Sequence, residues 1–409
     1  VHQIPRPRPD KDSIAEAADI LRQAEKPLIV SGGGVFYSGA VSELTDFAEH
    51  HNIPIVETIA GRGMMLHDHP NNAGPLGVIG SSSANALAEE ADVILAVGTR
   101  LQDFTTGSWS VFGNEKMRLI SLNAARYDAH KHRAISVVGD ALVGIEELGK
   151  SLADWSGSES WTSKAGTLYA EWNRTIEEHS GKTDTVPPSY AHVVGAVNRV
   201  CDDTDLALTA SGGFPGELCK NWKTKTVGTF DCEFGFSCMG YEIAGGWGAK
   251  MADPSRDVIV FVGDGAYLML NSDVYSSVLT GHKMIIILCD NGGFGVINRL
   301  QNFKGSASFN NLLEDSKVEH LEYVDFVQHA KSMGALGEQV ESISELEAAF
   351  KRAKLADRTY LISIKVQQHQ WTPGDAWWDV GVPEVSQRKE VRQARTDHSE
   401  GQKKQRIGV

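Results

Sequence analysis

Short runs of aliphatic residues recur along the chain, and each run ends at a turn that is rich in glycine or polar residues. Segments with apolar residues at helical spacing lie between these runs. Alternation of buried strands with helices is typical of parallel sheets, because a crossover helix joins each strand to the next. The sequence therefore predicts the α/β class, with two doubly wound parallel-sheet domains. The predicted strands are residues 27–30, 54–57, 93–97, 119–122, 206–209, 258–262, 284–288 and 360–364.

The predicted helices fill the gaps between these strands. Ser13 followed by Glu16 has the pattern of a capping box, which marks the start of a helix. The other predicted helices are residues 40–51, 84–90, 168–176, 189–200 and 345–355.

Composition divides the chain into four segments. Residues 153–186 are rich in Ser, Gly, Thr and Glu and precede Pro187-Pro188, which is typical of a linker. The residues after Thr372 are polar and charged apart from Trp377-Trp378, so we expect a loosely held tail. The predicted segments are a first α/β domain at 1–152, the linker at 153–186, a second α/β domain at 187–371 and the tail at 372–409.

The overall charge limits the possible partners. The formal net charge is −14, and nucleic acid and anionic membranes both require a basic face, so we expect neither as a partner. No apolar run approaches the roughly 18–20 residues that span a bilayer. We therefore expect a soluble globular protein.

Cysteine usage points to a cellular compartment. The five cysteines are an odd number, and none belongs to a CxxC pair. This pattern favours a reducing, cytoplasmic environment in which each cysteine is a small core residue. The five are Cys201, Cys219, Cys232, Cys238 and Cys289.

The chain begins with Val1 and continues into an alternating Pro/Arg stretch at residues 5–9. Such a stretch is extended and exposed, and it is typical of a linker between domains. We therefore expect these 409 residues to be the C-terminal part of a longer polypeptide.

Two strand ends in the second domain carry oxygen ligands. Gly263-Asp264-Gly265 ends one predicted strand, and Asn291 follows another strand 27 residues later. Ligands of open parallel sheets bind beyond the carboxyl ends of the strands. A hard divalent cation such as Mg²⁺ takes a carboxylate, an amide or peptide oxygen, and phosphate oxygens. The spacing therefore predicts a metal–diphosphate site in which Asp264, Asn291 and a peptide oxygen near Gly293 bind Mg²⁺.

This Gly-Asp-Gly and Asn spacing resembles the signature of thiamine-diphosphate (ThDP) enzymes. The first domain resembles the central domain of the ThDP decarboxylase/carboligase superfamily, and the second resembles its diphosphate-binding domain. The resemblance implies that Met239 lies under the cofactor as an apolar wedge, with Ser237 beside it at the aminopyrimidine. The cofactor-binding residues that it implies are Ser211, Gly212, Gly213, Ser237, Met239, Gly263, Asp264, Gly265, Ala266, Asn291, Gly293 and Phe294.

Four stretches are most similar to the trihydroxycyclohexane-dione hydrolase family of myo-inositol degradation. They are residues 210–218, 233–242, 291–301 and 377–386. The resemblance implies a hydrolytic C–C cleavage that opens a cyclic 1,2-diketone to a deoxyglucuronate, with ThDP and Mg²⁺ as cofactors. Asp290 departs from the usual Asn-Asn pair, although Asn291 keeps the ligand position. Ile297 stands where pyruvate-type decarboxylases carry an acidic residue, which supports a reaction without decarboxylation.

The same resemblance implies that part of the active site lies outside this chain. The glutamate that activates ThDP belongs to an N-terminal pyrimidine-binding domain, usually from the neighbouring subunit of a homodimer or homotetramer. No such domain is recognisable in the sequence, so we expect the chain alone to be inactive and assign no catalytic residue to it. Phe294, Asn298 and Gln301 are candidates for substrate contact, because they follow the metal ligands.

Two other functions stay open at this point. Ser31-Gly32-Gly33-Gly34 and residues 98–103 have the character of a nucleotide site. They allow an FAD-containing ThDP carboligase of the acetohydroxyacid-synthase type. A non-catalytic ThDP- or metal-binding scaffold is the third possibility.

Overall fold

The computed structural model describes residues 5–317, 320 and 322–406, which form two compact units. The first unit comprises residues 5–175, 373–380 and 399–406. The second comprises the described residues of Ile176–Thr372 and Gly381–His398. Val1–Ile4, at the start of the predicted Pro/Arg linker, lie outside the described residues.

The first unit contains a six-stranded parallel sheet. Its strands are β1 (Pro27–Ser31), β2 (Ile55–Glu57), β3 (Asn72–Pro75), β4 (Val93–Val97), β5 (Arg118–Asn123) and β6 (Ile135–Val138). The helices are α1 (Lys11–Arg22), α2 (Gly33–Tyr37), α3 (Val41–His50), α4 (Ser82–Glu90), α5 (Asp103–Thr106), α6 (Arg126–Ala129) and α7 (Ala141–Leu152), and α8 (Glu159–Ser180) follows. Short 3₁₀ helices occupy Ile59–Gly61 and Lys131–Arg133.

The strand order is β3-β2-β1-β4-β5-β6, so the chain reverses direction across the sheet between β1 and β4. Helices cover both faces, and two separate clusters of buried aliphatic residues fill the space between helices and sheet. Strand β1 is buried at every position because it lies in the middle of the sheet. This is the doubly wound arrangement that the sequence predicts.

The second unit contains another six-stranded parallel sheet. Its strands are β7 (Leu206–Thr209), β8 (Phe230–Cys232), β9 (Val258–Gly263), β10 (Ile285–Asp290), β11 (Leu336–Val340) and β12 (Tyr360–Lys365). The helices are α9 (Tyr190–Val200), α10 (Phe214–Asn221), α11 (Tyr241–Ala252), α12 (Asp264–Met269), α13 (Asp273–Thr280), α14 (Gly295–Phe303), α15 (Phe326–Ser332), α16 (Ile343–Leu355) and α17 (Lys389–Gln402), with a 3₁₀ helix at Leu313–Asp315.

The strand order here is β11-β12-β10-β9-β7-β8. The chain reverses direction between β7 and β9, and open parallel sheets bind their ligands at such a point, beyond the carboxyl ends of the strands. Within the described residues, both sheets are parallel throughout, which confirms the predicted fold class.

Three local predictions differ from the structure. Helix α1 starts one turn earlier than the predicted capping box, because Asp10 caps it by accepting from the amides of Asp12 and Ser13. Helix α8 is longer than the predicted helix at 168–176 and occupies much of the predicted linker. The predicted loose tail contains helix α17.

The segment after Thr372 is held by specific contacts within each unit. In the first unit, the indole nitrogen of Trp378 donates to Asp103 Oδ2 at 2.6 Å, and its ring packs against Phe104. In the second unit, the Arg388 side chain donates to the Gly305 carbonyl at 3.1 Å. Aromatic and arginine side chains therefore fix a segment whose average composition is polar.

Four of the five cysteines are buried, as predicted, but Cys238 is exposed. Cys238 lies in the turn before α11, and the Glu233 carboxylate holds its backbone amide at the surface. Among the described residues, no helix has the length and apolar character needed to cross a bilayer.

Candidate functional site

The register of β9 and β10 brings the predicted metal ligands together. Cys289 of β10 pairs with Gly263 of β9, so the residues that follow these two leave the sheet side by side. Asp264 starts helix α12 at the end of β9, and Asn291 begins the turn after β10. Their proximity follows from strand pairing, as the sequence spacing predicts.

Asp264 is a buried carboxylate with one oxygen left without a partner. Its Oδ2 atom accepts a hydrogen bond of 2.7 Å from the Gly293 amide. Its Oδ1 atom is buried and has no hydrogen-bond partner among the described residues. Burial raises the pKa of Asp264 to about 7, the charge of Asp290 adds to the rise, and the backbone amides of Gly293, Gly265 and Asn291 oppose it. A nearby cation would stabilise the charged form of this carboxylate.

Asn291 is also buried with a free oxygen. Its Nδ2 atom donates to the Tyr190 hydroxyl at 2.5 Å, while its Oδ1 atom has no partner among the described residues. The ring of Tyr190 is 1% exposed and stacks on Trp371 with the ring centroids 5.5 Å apart. Because the nitrogen is engaged by a buried ring, the oxygen is the atom that remains free to bind a ligand.

The unpartnered oxygens of Asp264 and Asn291 fit a hard divalent cation. A buried acceptor without a partner costs roughly 1–3 kcal/mol, so a bound cation or an ordered water would stabilise these atoms. The Gly293 peptide oxygen turns toward the start of α12, at 3.4 Å from the position of a Cβ on Gly265. Among the described residues, no three His, Cys, Asp or Glu side chains form a metal-binding group. A cation here would therefore need further oxygens from a phosphate-bearing ligand.

Glycines at the ends of β7 and β9 leave room for such a ligand. A Cβ added to Gly212 or to Gly263 would meet no atom within 4 Å. Gly212 also has a φ of +79°, a conformation that favours glycine. The predicted cofactor residues here therefore border open space at the point where the strand order reverses.

Other predicted glycines serve close packing. A Cβ on Gly265 would lie 2.7 Å from the Phe294 ring, and one on Gly213 would lie 2.8 Å from Trp371. Ser211 and Ala266 are buried, with 3% of each exposed. These residues shape the walls of the crevice.

The turn before α11 is held in an unusual conformation. Ser237 has a φ of +55°, which is costly for a residue with a side chain. The Glu233 carboxylate accepts from the amides of Phe236 at 3.0 Å and Cys238 at 2.9 Å, and so fixes the turn. Met239 is half-buried and packs on the cluster between helices and sheet in this unit. The turn fixes the position of the Met239 backbone. It does not determine how exposed the Met239 side chain is.

Both units match known protein-family domains. Residues 14–148 match the thiamine pyrophosphate enzyme central domain, and residues 211–364 match the C-terminal TPP binding domain. Thiamine pyrophosphate is another name for ThDP. The chain belongs to the ThDP-dependent enzyme family. Its second unit therefore contains the family's ThDP-binding domain, and the candidate crevice lies within the matched residues.

The chain is also similar to several individual proteins, all trihydroxycyclohexane-dione hydrolases. The chain is 37% identical to 3D-(3,5/4)-trihydroxycyclohexane-1,2-dione hydrolase of Geobacillus thermodenitrificans, over 98% of this chain and 67% of that protein. Proteins of the same name from Clostridium tetani and Bacillus thuringiensis are each 35% identical, over 96% of this chain and 66% of theirs. The chain thus spans about two thirds of the length of these relatives.

The three candidates for substrate contact lie at the start of helix α14 and along it. Phe294 is 36% exposed and Ile297 is 48% exposed, whereas Asn298 is 1% exposed. Gln301 accepts from the Asn311 side chain at 2.7 Å. The three candidates therefore differ in exposure and in partners.

Two residues in this unit were not singled out from the sequence. Tyr190 gave no signal, because its contact with Asn291 joins positions 101 residues apart. Glu242 is an acid at the start of a helix rich in small and apolar residues, and it is fully buried. An acid in such a segment is a signal for a buried, hydrogen-bonded carboxylate.

The glycine-rich strand ends of the central domain have a structural explanation. A Cβ on Gly32 would lie 2.5 Å from the Gly98 carbonyl oxygen, and one on Gly34 would lie 2.7 Å from Gly98 Cα. The Gly34 amide donates to the Gly98 carbonyl at 2.9 Å. The glycines therefore allow two backbone segments to touch, a role that requires no nucleotide.

Proposed function

We propose that this chain anchors the cofactor of a ThDP- and Mg²⁺-dependent hydrolase. The reaction opens trihydroxycyclohexane-dione, a cyclic 1,2-diketone, by C–C cleavage to a deoxyglucuronate in myo-inositol degradation. The observation that carries the proposal is the pair of buried, unpartnered oxygens on Asp264 and Asn291 beside the open space at Gly212 and Gly263. The names of the relatives supply the substrate.

The residues of the crevice have distinct tasks in this proposal. Asp264, Asn291 and the Gly293 peptide oxygen bind Mg²⁺, and the metal neutralises the diphosphate. Gly212 and Gly263 let the phosphates approach the backbone. Bound ThDP supplies a nucleophilic carbon and accepts the electrons of the broken C–C bond.

The turn before α11 receives the other end of the cofactor. The backbone atoms of Ser237 and Met239 would bind the aminopyrimidine, and the Met239 side chain would pack against the cofactor. The positive φ of Ser237 is consistent with a turn whose shape serves ligand binding rather than packing.

The exposed face of α14 supports a reaction that does not remove carbon dioxide. Phe294 and Ile297 lie on this face, and both are apolar. An acid at position 297 would serve protonation during decarboxylation, and isoleucine offers no proton. A hydrolase that retains the substrate's carbon atoms fits this surface better.

The proposal also includes groups beyond these 409 residues. The chain covers 67% and 66% of the lengths of two of these relatives, so about one third of each relative has no counterpart in it. We place the activating glutamate in a pyrimidine-binding domain outside the present sequence, contributed by a neighbouring subunit of a homodimer or homotetramer. We place the enzyme in the cytoplasm, because none of its five cysteines is paired.

An activity assay tests the proposed reaction. The chain would be joined to the N-terminal third of the Geobacillus thermodenitrificans relative and supplied with ThDP, Mg²⁺ and the cyclic dione. We expect ring opening, and we expect Asp264→Asn to abolish it. Conversion of pyruvate to acetolactate without ring opening, together with a flavin absorbance band, would instead establish the carboligase.

A further inference from the structure

Glu242 is a fully buried acid in a position where packing alone would favour an apolar residue. It is the second residue of α11, and none of its surface is exposed. Ile243 beside it belongs to the main cluster of buried apolar residues in this unit. Burying a carboxylate costs several kcal/mol unless hydrogen bonds satisfy it. The contacts of Glu242 must therefore explain its presence.

Both carboxylate oxygens of Glu242 accept hydrogen bonds, and the donors lie on two different loops. Oε1 accepts from the Ser211 amide at 3.0 Å and from the Ser211 hydroxyl at 3.4 Å. Oε2 accepts from the Gly240 amide at 2.8 Å. Ser211 follows strand β7, whereas Gly240 closes the turn at residues 233–240. One side chain therefore connects two segments that are about 30 residues apart in sequence.

These two loops are the ones that the proposed function assigns to opposite ends of the cofactor. Residues 211–213 border the space for the diphosphate, and residues 237–239 receive the aminopyrimidine. The covalent structure of ThDP limits the distance between these two groups. A site that binds both must hold its loops at a matching separation.

We propose that Glu242 is a positioning residue that holds the diphosphate loop and the aminopyrimidine loop at the separation that bound ThDP requires. This inference rests on the proposed function, because the loops owe their roles to it. It assigns to Glu242 a contribution to cofactor affinity that acts through Ser211 and Gly240.

A carboxylate suits this role better than an amide. The two backbone amides that point at Glu242, those of Ser211 and Gly240, can only donate, so the side-chain oxygen opposite each of them must accept. The Gln side chain has one acceptor and one donor. In Glu242→Gln, its NH₂ group would face either the Ser211 amide or the Gly240 amide. One loop would therefore lose its anchor while the size of the side chain stayed the same.

Asp205 offers a matched control at the other end of strand β7. It is 2% exposed, and both of its oxygens accept from Lys354 Nζ, at 2.9 and 2.8 Å. Asp205→Asn therefore also weakens a buried carboxylate next to the same strand. The difference is that Asp205 lies at the amino end of β7, away from the crevice.

The experiment compares the unaltered chain, Glu242→Gln and Asp205→Asn by two measurements. The first is backbone hydrogen exchange without ligand. We expect Glu242→Gln to accelerate exchange in residues 211–213 and in residues 237–240 at least fivefold, and Asp205→Asn to leave both segments unchanged. The second is equilibrium binding of ThDP in Mg²⁺. We expect at least a tenfold rise in Kd for Glu242→Gln and less than a twofold rise for Asp205→Asn.

The two measurements separate the possible failures. Unchanged exchange in either loop would show that Glu242 does not connect them and would overturn the inference. Faster exchange with unchanged ThDP affinity would also overturn it, because the connection would not serve the cofactor. Absence of ThDP binding by the unaltered chain would overturn the proposed function itself. Should Glu242→Gln fail to fold, Glu242→Asp keeps the charge but cannot reach both loops, and the same outcomes apply.

Discussion

The side-chain nitrogen of Asn291 donates a hydrogen bond to the hydroxyl of Tyr190 at 2.5 Å, and the amide oxygen of Asn291 is left without a partner among the described residues. We expect Tyr190→Phe to weaken Mg²⁺-dependent ThDP binding roughly fivefold to tenfold, because one hydrogen bond contributes about 1 kcal/mol. Titration of ThDP at fixed Mg²⁺ measures this. Tyr169→Phe is the control, since the Tyr169 hydroxyl bonds to the His67 carbonyl in the other unit. Equal affinities for the two variants would refute the role of Tyr190.

The open space at Gly263 gives a second prediction. Its φ of −82° and ψ of 158° suit any residue, and a Cβ there meets no atom within 4 Å. We expect Gly263→Ala to change the free energy of unfolding by less than about 0.5 kcal/mol, yet to raise the Kd for ThDP at least tenfold. The expected loss of affinity arises because the methyl group occupies space that the phosphates need.

Gly248 on the exposed side of α11 provides the control for that substitution. A Cβ there also meets no atom within 4 Å. We expect Gly248→Ala to stabilise the protein by up to about 1 kcal/mol, because alanine favours helices, and to leave ThDP affinity unchanged. Thermal unfolding and calorimetric titration of both variants measure these effects. A normal ThDP affinity in Gly263→Ala would place the diphosphate elsewhere.

The inner strands of both sheets were predictable from sequence, and the edge strands were not. All eight predicted strands are inner strands, which are buried on both faces and therefore read as aliphatic runs. The four missed strands are β3, β6, β8 and β11, and they form the two edges of each sheet. Strand β11, for example, reads Leu-Gly-Glu-Gln-Val and is partly exposed. Its pairing with β12, rather than its composition, makes it a strand.

The proximity of the two proposed metal ligands was predictable for a related reason. Asp264 and Asn291 each follow an inner strand, so the strand prediction also predicted their proximity. Tyr190 and Glu242 could not be found in this way, because their roles depend on contacts with residues that are distant in sequence. Exposure of Cys238 likewise depends on the turn that Glu233 stabilises.

Cys238 provides a probe of the aminopyrimidine loop. It is the only exposed cysteine of the five, and Met239 follows it directly. We expect ThDP with Mg²⁺ to slow alkylation of Cys238 at least fivefold, because the ligand covers and orders this turn. Mass spectrometry of the alkylated peptide measures the rate, and Cys238→Ser confirms the site of labelling. An unchanged rate at saturating ThDP would place the aminopyrimidine away from residues 237–239.

The lowered pKa of Glu233 leads to a prediction of how the stability of the turn at residues 233–240 depends on pH. Burial tends to raise the pKa of Glu233, but the amides of Cys238, Phe236 and Gly235 outweigh burial and lower it below the usual 4.5. A carboxyl with a lowered pKa in the folded state stabilises the protein above its unfolded pKa. The stabilisation is lost as the pH falls through the folded pKa.

We therefore expect Glu233→Gln to have a lower Tm than the unaltered chain at pH 7. The difference should shrink as the pH falls below 4.5. Thermal unfolding of both proteins between pH 7 and the acid limit of folding measures it. A difference in Tm that stays constant with pH would show that the charge of Glu233 does not stabilise the turn.

Binding of ThDP to this chain, with and without Mg²⁺, tests the central claim most directly when Asp264→Asn is measured beside it. The account predicts saturable binding that requires Mg²⁺ and a Kd at least a hundredfold higher in Asp264→Asn, because the variant loses the charged ligand of the metal. Circular dichroism should show the same folded structure for both proteins. Equal affinity of the two proteins, or binding that is independent of Mg²⁺, would contradict it.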